Sequence, residues 1–140
     1  MRIAFEMKIR RLTICDWQGL NRTDTVVERP SWIVIEAAIR AMNNANLNDV
    51  QLELDSQENA FLTIGGGSDN YIVSGDLTGK SFPTLTNPKA AENSSIELMV
   101  GGQLGEYPAH CVVDLETALD AVRSVAENGS FDSHFFWIYT

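Results

Sequence analysis

Four side chains are the candidates for nucleophilic or metal chemistry in this chain: two cysteines, Cys15 and Cys111, and two histidines, His110 and His134. His110 and Cys111 are neighbours on a predicted strand, where adjacent side chains point to opposite faces and cannot share a hydrogen bond. The sequence also lacks the CxxC and HExxH spacings of zinc sites. We therefore predict no catalytic residues, no metal ion and no cofactor. A small hydrolase that pairs a histidine with a cysteine remains an alternative.

Carboxylates are the other group that could carry out chemistry. Glu53 and Asp55 lie two residues apart on a predicted strand, so they share one face and could act as a general acid and base. Apolar residues alternate with them, which places both carboxylates on the solvent side of the strand. We therefore interpret them as part of a solvated face rather than as a glycosidase pair.

The net charge of −9 is unevenly distributed along the 140 residues. Residues 1–40 contain seven of the ten Lys and Arg and five of the nineteen Asp and Glu, a balance of +2, whereas residues 41–140 have a balance of −11. Between Arg40 and Lys80 there is no basic residue. An acidic surface repels phosphate backbones, which argues against nucleic acid as a partner, and it attracts basic proteins.

Candidate contacts for such a basic protein come from the acidic stretch and from one aromatic residue. Several carboxylates without interspersed cations predict a negative potential over a whole surface rather than a single salt bridge. An exposed tryptophan is a common interface anchor. The candidate residues are Trp17, Glu53, Asp55, Glu58, Asp69 and Asp76.

The sequence shows neither a membrane span nor a signal peptide. No apolar run approaches the roughly 18 residues that a spanning helix needs. The N-terminal residues alternate between apolar and basic types, whereas a signal peptide has a continuous apolar segment. We expect a cytoplasmic protein that does not bind membranes.

The first third of the chain predicts a strand, a loop and a helix. Residues 2–14 alternate between apolar and charged types, as a long strand does, with a bulge where two arginines break the alternation. The polar residues 16–29 predict a loop. A helix over residues 32–42 follows Ser31, which caps it, and its thin polar stripe predicts that it is largely buried.

The middle of the chain predicts a series of short antiparallel strands joined as a meander. The glycines at 65–67 lack the spacing of a phosphate-binding loop, so we interpret them as part of a hairpin turn. Residues 78–95 predict the longest irregular stretch. The predicted strands are residues 50–55, 60–64, 71–74, 96–100 and 107–113.

The C-terminal part predicts one amphipathic helix and a docked tail. Asp114 caps the helix and Gly129 ends it. The aromatic tail, from Phe131 to Tyr139, should pack on the core. Together the elements predict an α+β fold: one domain over residues 1–140, with a single antiparallel sheet of about six strands and two helices.

The second half of the chain resembles immunity protein family 1 of bacterial polymorphic toxin systems, over roughly residues 47–137. The resemblance rests on a short meander and on a series of motifs in a fixed order. These motifs are Val100-Gly101-Gly102-Gln103, Glu106-Tyr107-Pro108, Val112-Val113-Asp114, a helix with Glu116, Ala118 and Ala121, Asn128-Gly129, and Trp137.

The resemblance implies a small α+β intracellular protein that binds and blocks a toxin encoded beside it. Many partners of this family are nucleic-acid deaminases or nucleases. The resemblance also implies structural rather than contact roles for Gly101, Gly102, Pro108, Gly129 and Trp137. We expect a 1:1 complex with a toxin domain and inhibition by occlusion of its active site or substrate cleft. A chaperone or adaptor for a secreted effector is the alternative binding function.

Overall fold

The computed structural model describes residues 7–55, 59–132 and 134–140. It contains two helices and mostly antiparallel strands, which confirms the predicted α+β class. The strand count is somewhat higher than the predicted single sheet of about six strands, because the described residues form one seven-stranded sheet and a separate two-stranded ribbon. The strands are β1 (Ile9–Gln18), β2 (Asn21–Glu28), β3 (Leu47–Leu54), β4 (Ala60–Gly67), β5 (Asn70–Leu77), β6 (Pro83–Leu85), β7 (Ser95–Val100), β8 (Gln103–Pro108) and β9 (Trp137–Tyr139), and the helices are α1 (Trp32–Ala41) and α2 (Leu115–Asn128).

The large sheet has the strand order β2-β1-β3-β4-β5-β6-β9. The loop predicted over residues 16–29 is wrong, because β1 continues to Gln18 and β2 returns beside it. β2 lacks an apolar alternation because it is an edge strand whose side chains are nearly all exposed. The bulge predicted in the first strand is confirmed by a register shift between Ile9 and Arg11. The part of that strand before residue 7 lies outside the described residues.

Both helices pack on one face of the large sheet and share its main hydrophobic core. The caps predicted at Ser31 and Asp114 are confirmed: each side chain accepts a hydrogen bond from the backbone three residues later. Gly129 ends α2 in the left-handed conformation, as predicted. α1 is less buried than predicted, because Ile33 remains 77% exposed. No helix in the described part of the chain is long and apolar enough to cross a membrane.

The β7–β8 ribbon packs on the opposite face of the sheet, through a small second core of Ile72, Leu98 and Val112. The strands predicted over 96–100 and 107–113 are therefore not part of the meander. The second of them is wrong beyond Pro108, where β8 ends and a short 3-10 turn begins. The ribbon can lie close to β4 because the residue of β4 beneath it is a glycine. A Cβ on Gly65 would lie 2.6 Å from the Val100 side chain.

The remaining differences concern the glycines and the tail. Gly65 to Gly67 continue β4 instead of forming the turn, which consists of Ser68 and Asp69, both with positive φ. The irregular stretch at 78–95 contains β6. The tail packs on the core as predicted, and it does so by adding β9 to the sheet. Trp137 lies at the start of β9, with its ring edge-on to Phe131 at 4.7 Å between centroids.

Candidate functional site: the open face of the sheet

The β7–β8 ribbon covers one end of its face of the large sheet, and the rest of that face keeps partly or fully exposed side chains among the described residues. Residues directly opposite each other on neighbouring strands form a continuous row across this face, which we call the central row. None of its side chains is buried, and its interior is polar and uncharged between two exposed apolar ends. The central row consists of Val26, Thr13, Gln51, Thr63, Ser74, Thr84 and Ile138.

A second row, which we call the charged row, lies beside the central row on the same face. It runs across five strands in the order Glu28, Arg11, Glu53, Phe61 and Asp76. Phe61 is 37% exposed and lies directly between two carboxylates. The central row and the charged row together are named the open face below. They combine an aromatic ring, aliphatic ends, hydroxyl groups and charges.

Glu53, one of the carboxylates predicted to attract a basic partner, is already paired with an arginine of β1. Arg11 Nε donates to Glu28 Oε1 at 2.7 Å, and its Nη1 lies 2.9 Å from Glu53 Oε2. These two contacts, first with Glu28 and then with Glu53, raise the pKa of Arg11. Since two carboxylates share one guanidinium, the triad keeps a net negative charge.

Asp55 forms a similar arrangement at the end of β3. Its Oδ2 accepts a hydrogen bond of 2.6 Å from Arg29, and Arg10 lies 3.9 Å away. The hydrogen bond from Arg29 holds the pKa of Asp55 below its ordinary value. The segment between Arg40 and Lys80 contains no Lys or Arg in the sequence. In the fold it is nevertheless not surrounded by negative charge alone, because strand pairing brings arginines from residues 10–29 beside it.

The structure brings some of the other predicted acidic contacts to the open face but not all of them. Asp76 belongs to the charged row, and its side chain accepts a hydrogen bond from the Gly79 N–H at 2.7 Å. Asp69 instead lies in the β4–β5 turn and accepts from the Leu115 N–H at 3.0 Å, at the start of α2. Glu58 lies outside the described residues.

Trp17 is half-buried under the tip of the β7–β8 ribbon. Its Nε1 donates to the buried Asp49 carboxylate at 2.8 Å, and a Cβ on Gly102 would come within 2.5 Å of the ring. Gly101 and Gly102 both have positive φ and form the two-residue turn of the ribbon. Trp17 therefore fixes the ribbon to the sheet and limits the extent of the open face.

Both cysteine thiols lie in surroundings that raise their pKa, and both histidines lie at the surface. Burial, assisted by a hydrogen bond to Asp49, raises the pKa of the Cys15 thiol to about 12, and burial also raises the pKa of Cys111. A higher thiol pKa lowers the fraction of thiolate, which is the reactive form. His110 lies in the 3-10 turn rather than on a strand, and both His110 and His134 are exposed. Among the described residues, no three His, Cys, Asp or Glu side chains cluster closely enough to hold a metal ion.

The open face could not be assembled from the sequence alone. Phe61 alternates with Ala60 and Leu62, so its position on the solvent side of a strand was readable. The register that aligns seven strands into one row was not readable, because β2 and β6 were not predicted. Comparison with known proteins gives no further guidance, since no protein-family model, curated protein or solved structure matches the chain.

Proposed function

We propose that the protein is an immunity protein, a stoichiometric inhibitor that binds a basic toxin domain through the open face of its sheet. The observation that carries the proposal is the exposure of Phe61 between the carboxylates of Glu53 and Asp76 on this face. An aromatic anchor surrounded by polar groups is typical of the centre of a protein interface. The resemblance to immunity protein family 1 supports the same function.

The charge of the chain supports a basic partner. The net charge is −9, and the balance over residues 41–140 is −11. Enzymes that act on nucleic acids hold phosphates in a positive cleft. An acidic protein is steered toward such a cleft, so the proposed partner is a nucleic-acid deaminase or nuclease in the cytoplasm. Inhibition follows if the docked sheet covers the active site or blocks substrate entry.

The geometry of the charged row suggests how the contact forms. The ring of Phe61 would enter an apolar depression on the toxin. A lysine or arginine of the toxin would then neutralise the remaining charge of the Arg11–Glu53–Glu28 triad. Because that triad is already ordered within the chain, the carboxylates lose little conformational freedom on binding.

The first test asks whether a toxin exists and is neutralised. The C-terminal region of the protein encoded by the adjacent upstream reading frame is expressed with and without this chain. We expect it to arrest growth alone and to be tolerated in the presence of this chain. Growth arrest that this chain does not relieve would contradict the proposal.

The second test asks whether the open face makes the contact. We expect Phe61→Ala to weaken binding of that toxin domain by roughly 30-fold in calorimetry, the size of an interface hot spot. Phe136→Ala is the matched control, because Phe136 is also exposed but lines a cleft beside Asp114 at the start of α2. Equal affinities for wild type and F61A, with unchanged folding, would place the contact elsewhere.

A further inference from the structure

β2 presents a long sheet edge that no other described strand covers. It contains eight residues, pairs only with β1, and is exposed along nearly its whole length. The other edge strand of the same sheet, β9, has three residues. Unpaired edges of this length tend to pair with another strand, and charged side chains determine which strand fits.

The direction of the backbone groups of β2 follows from its pairing with β1. The Arg29 N–H donates to the Arg10 carbonyl at 2.9 Å, and the β1–β2 register is continuous from there to the turn. In an antiparallel ladder, hydrogen-bonded and non-hydrogen-bonded pairs alternate. Odd-numbered residues of β2 therefore bond to β1. The even-numbered residues point their N–H and C=O groups outward, and they are Arg22, Asp24, Val26 and Glu28.

We propose that β2 pairs with β2 of a second copy of the chain, antiparallel and with Thr25 on the two-fold axis. In this register the outward groups meet as hydrogen-bonded pairs, Arg22 opposite Glu28 and Asp24 opposite Val26 of the second copy. Opposite charges face each other at both ends of the ladder, which stabilises an antiparallel pair. The one other register with a comparable overlap places Asp24 directly opposite Asp24, which is unfavourable.

The charge distribution along the chain favours association of two copies through β2 over association through other surfaces. Two copies with a net charge of −9 repel each other. The β1–β2 hairpin, residues 9–28, contains three Arg and three Asp or Glu residues and so has no net charge, which lets a second copy approach it with less repulsion than the average surface of the chain. The dimer would join two large sheets edge to edge and leave both open faces accessible. The inference does not depend on the proposed function.

A disulfide at the axis tests the register directly. In the proposed dimer the two Thr25 residues form a non-hydrogen-bonded pair, with a Cα–Cα distance of about 4.5 Å, which a disulfide can span. In a Cys111→Ser background, we expect Thr25→Cys to form a covalent dimer under mild oxidation. Thr23→Cys, on the same strand and equally exposed, is the matched control. It should remain monomeric on denaturing gels, because Thr23 faces Val27 of the second copy.

A charge exchange tests the same contact without a covalent bond. We expect Arg22→Glu or Glu28→Arg alone to weaken dimerisation roughly tenfold in analytical ultracentrifugation, because each creates two like-charged pairs. The double variant R22E/E28R restores opposite charges across the axis, but it also breaks the Arg22–Asp24 and Arg11–Glu28 ion pairs within each copy, so it should dimerise more tightly than either single variant without reaching the wild type. Circular dichroism and thermal melting establish that each variant is folded.

Several outcomes would overturn the proposal. These are a monomer at every concentration up to about 1 mM, equal cross-linking of the Thr25→Cys and Thr23→Cys variants, and dimerisation of R22E/E28R that is no tighter than that of the single variants. A Val26→Pro variant distinguishes a different occupant, because proline removes one outward N–H without breaking a β1–β2 hydrogen bond. Val26→Ala is its control, because Val26 also belongs to the central row, and V26A removes that side chain but keeps the N–H. If V26P abolishes toxin binding by a chain that is monomeric throughout and V26A does not, the edge belongs to the toxin instead.

Discussion

The two faces of the large sheet are made by the same strands but differ in how far their side chains are buried. On β4, Leu62 is fully buried under the helices, whereas its neighbour Phe61 is exposed on the open face. On β3, Leu52 is buried and Glu53 beside it pairs with Arg11. Because successive side chains of a strand alternate between faces, single substitutions one residue apart can separate stability from binding.

The largest expected effect comes from adjacent substitutions on β4. Leu62→Ala should lower the free energy of unfolding by about 3–5 kcal/mol, because it opens a cavity in the main core. Phe61→Ala should lower it by less, about 1 kcal/mol, since Phe61 is 37% exposed on the open face and is not part of the main core. Urea denaturation followed by circular dichroism measures both values. Similar losses for the two variants would mean that Phe61 is part of the core.

The next effect concerns Cys15, which lies on the ribbon side of the sheet but is completely buried. Its pKa is raised from the ordinary 9.0 to about 12, so the fold favours the protonated thiol. The contribution of this thiol to the free energy of unfolding is fully present below pH 9 and is lost as the pH rises toward 12. The free energy of unfolding should fall by about 1.4 kcal/mol per pH unit in this window.

A Cys15→Ala variant provides the control for the alkaline window. It removes the titrating group, so its stability should depend less on pH between 9 and 11 than that of the wild type. Thiol labelling at pH 8 provides an independent readout: the half-buried Cys111 should react first and Cys15 only on unfolding. Rapid labelling of Cys15 in the folded protein would show that the ribbon does not exclude water from this end of the face.

The contact between the ribbon and the sheet is tested at its two glycines. Gly102→Ala should destabilise the fold by about 1–3 kcal/mol, because its φ is positive and the added carbon would collide with the Trp17 ring. Gly101→Ala has the same backbone strain but nothing within 4 Å of the added carbon. The difference in thermal midpoint between the two variants therefore isolates the collision. Identical midpoints would indicate that the ribbon is not held by Trp17.

The sequence predicted local features of this fold better than its long-range ones. The start of α2 at Asp114 and its end at Gly129 are confirmed because caps act within one turn of the chain. The β1–β2 hairpin was missed because an edge strand exposed on both faces needs no apolar alternation. The site depends on register: strand pairing brings Arg11 to Glu53, and nothing in the local sequence specifies that neighbour.

The smallest effect on stability, and the sharpest test of the open face, comes from its carboxylates. Glu53→Gln with Asp55→Asn should change the thermal midpoint little, because exposed ion pairs contribute about 0–1 kcal/mol each. The association rate with the toxin domain should nevertheless fall roughly tenfold at low salt, since the variant loses the negative charge of Glu53 on the open face and that of Asp55 just beyond the end of β3. Stopped-flow binding at low and high ionic strength measures this rate. Glu116→Gln with Asp120→Asn, on exposed positions of α2, makes the same change in charge on the helical side. If both variants slow association equally, steering depends on the overall charge of the chain, and the open face has no special role in it.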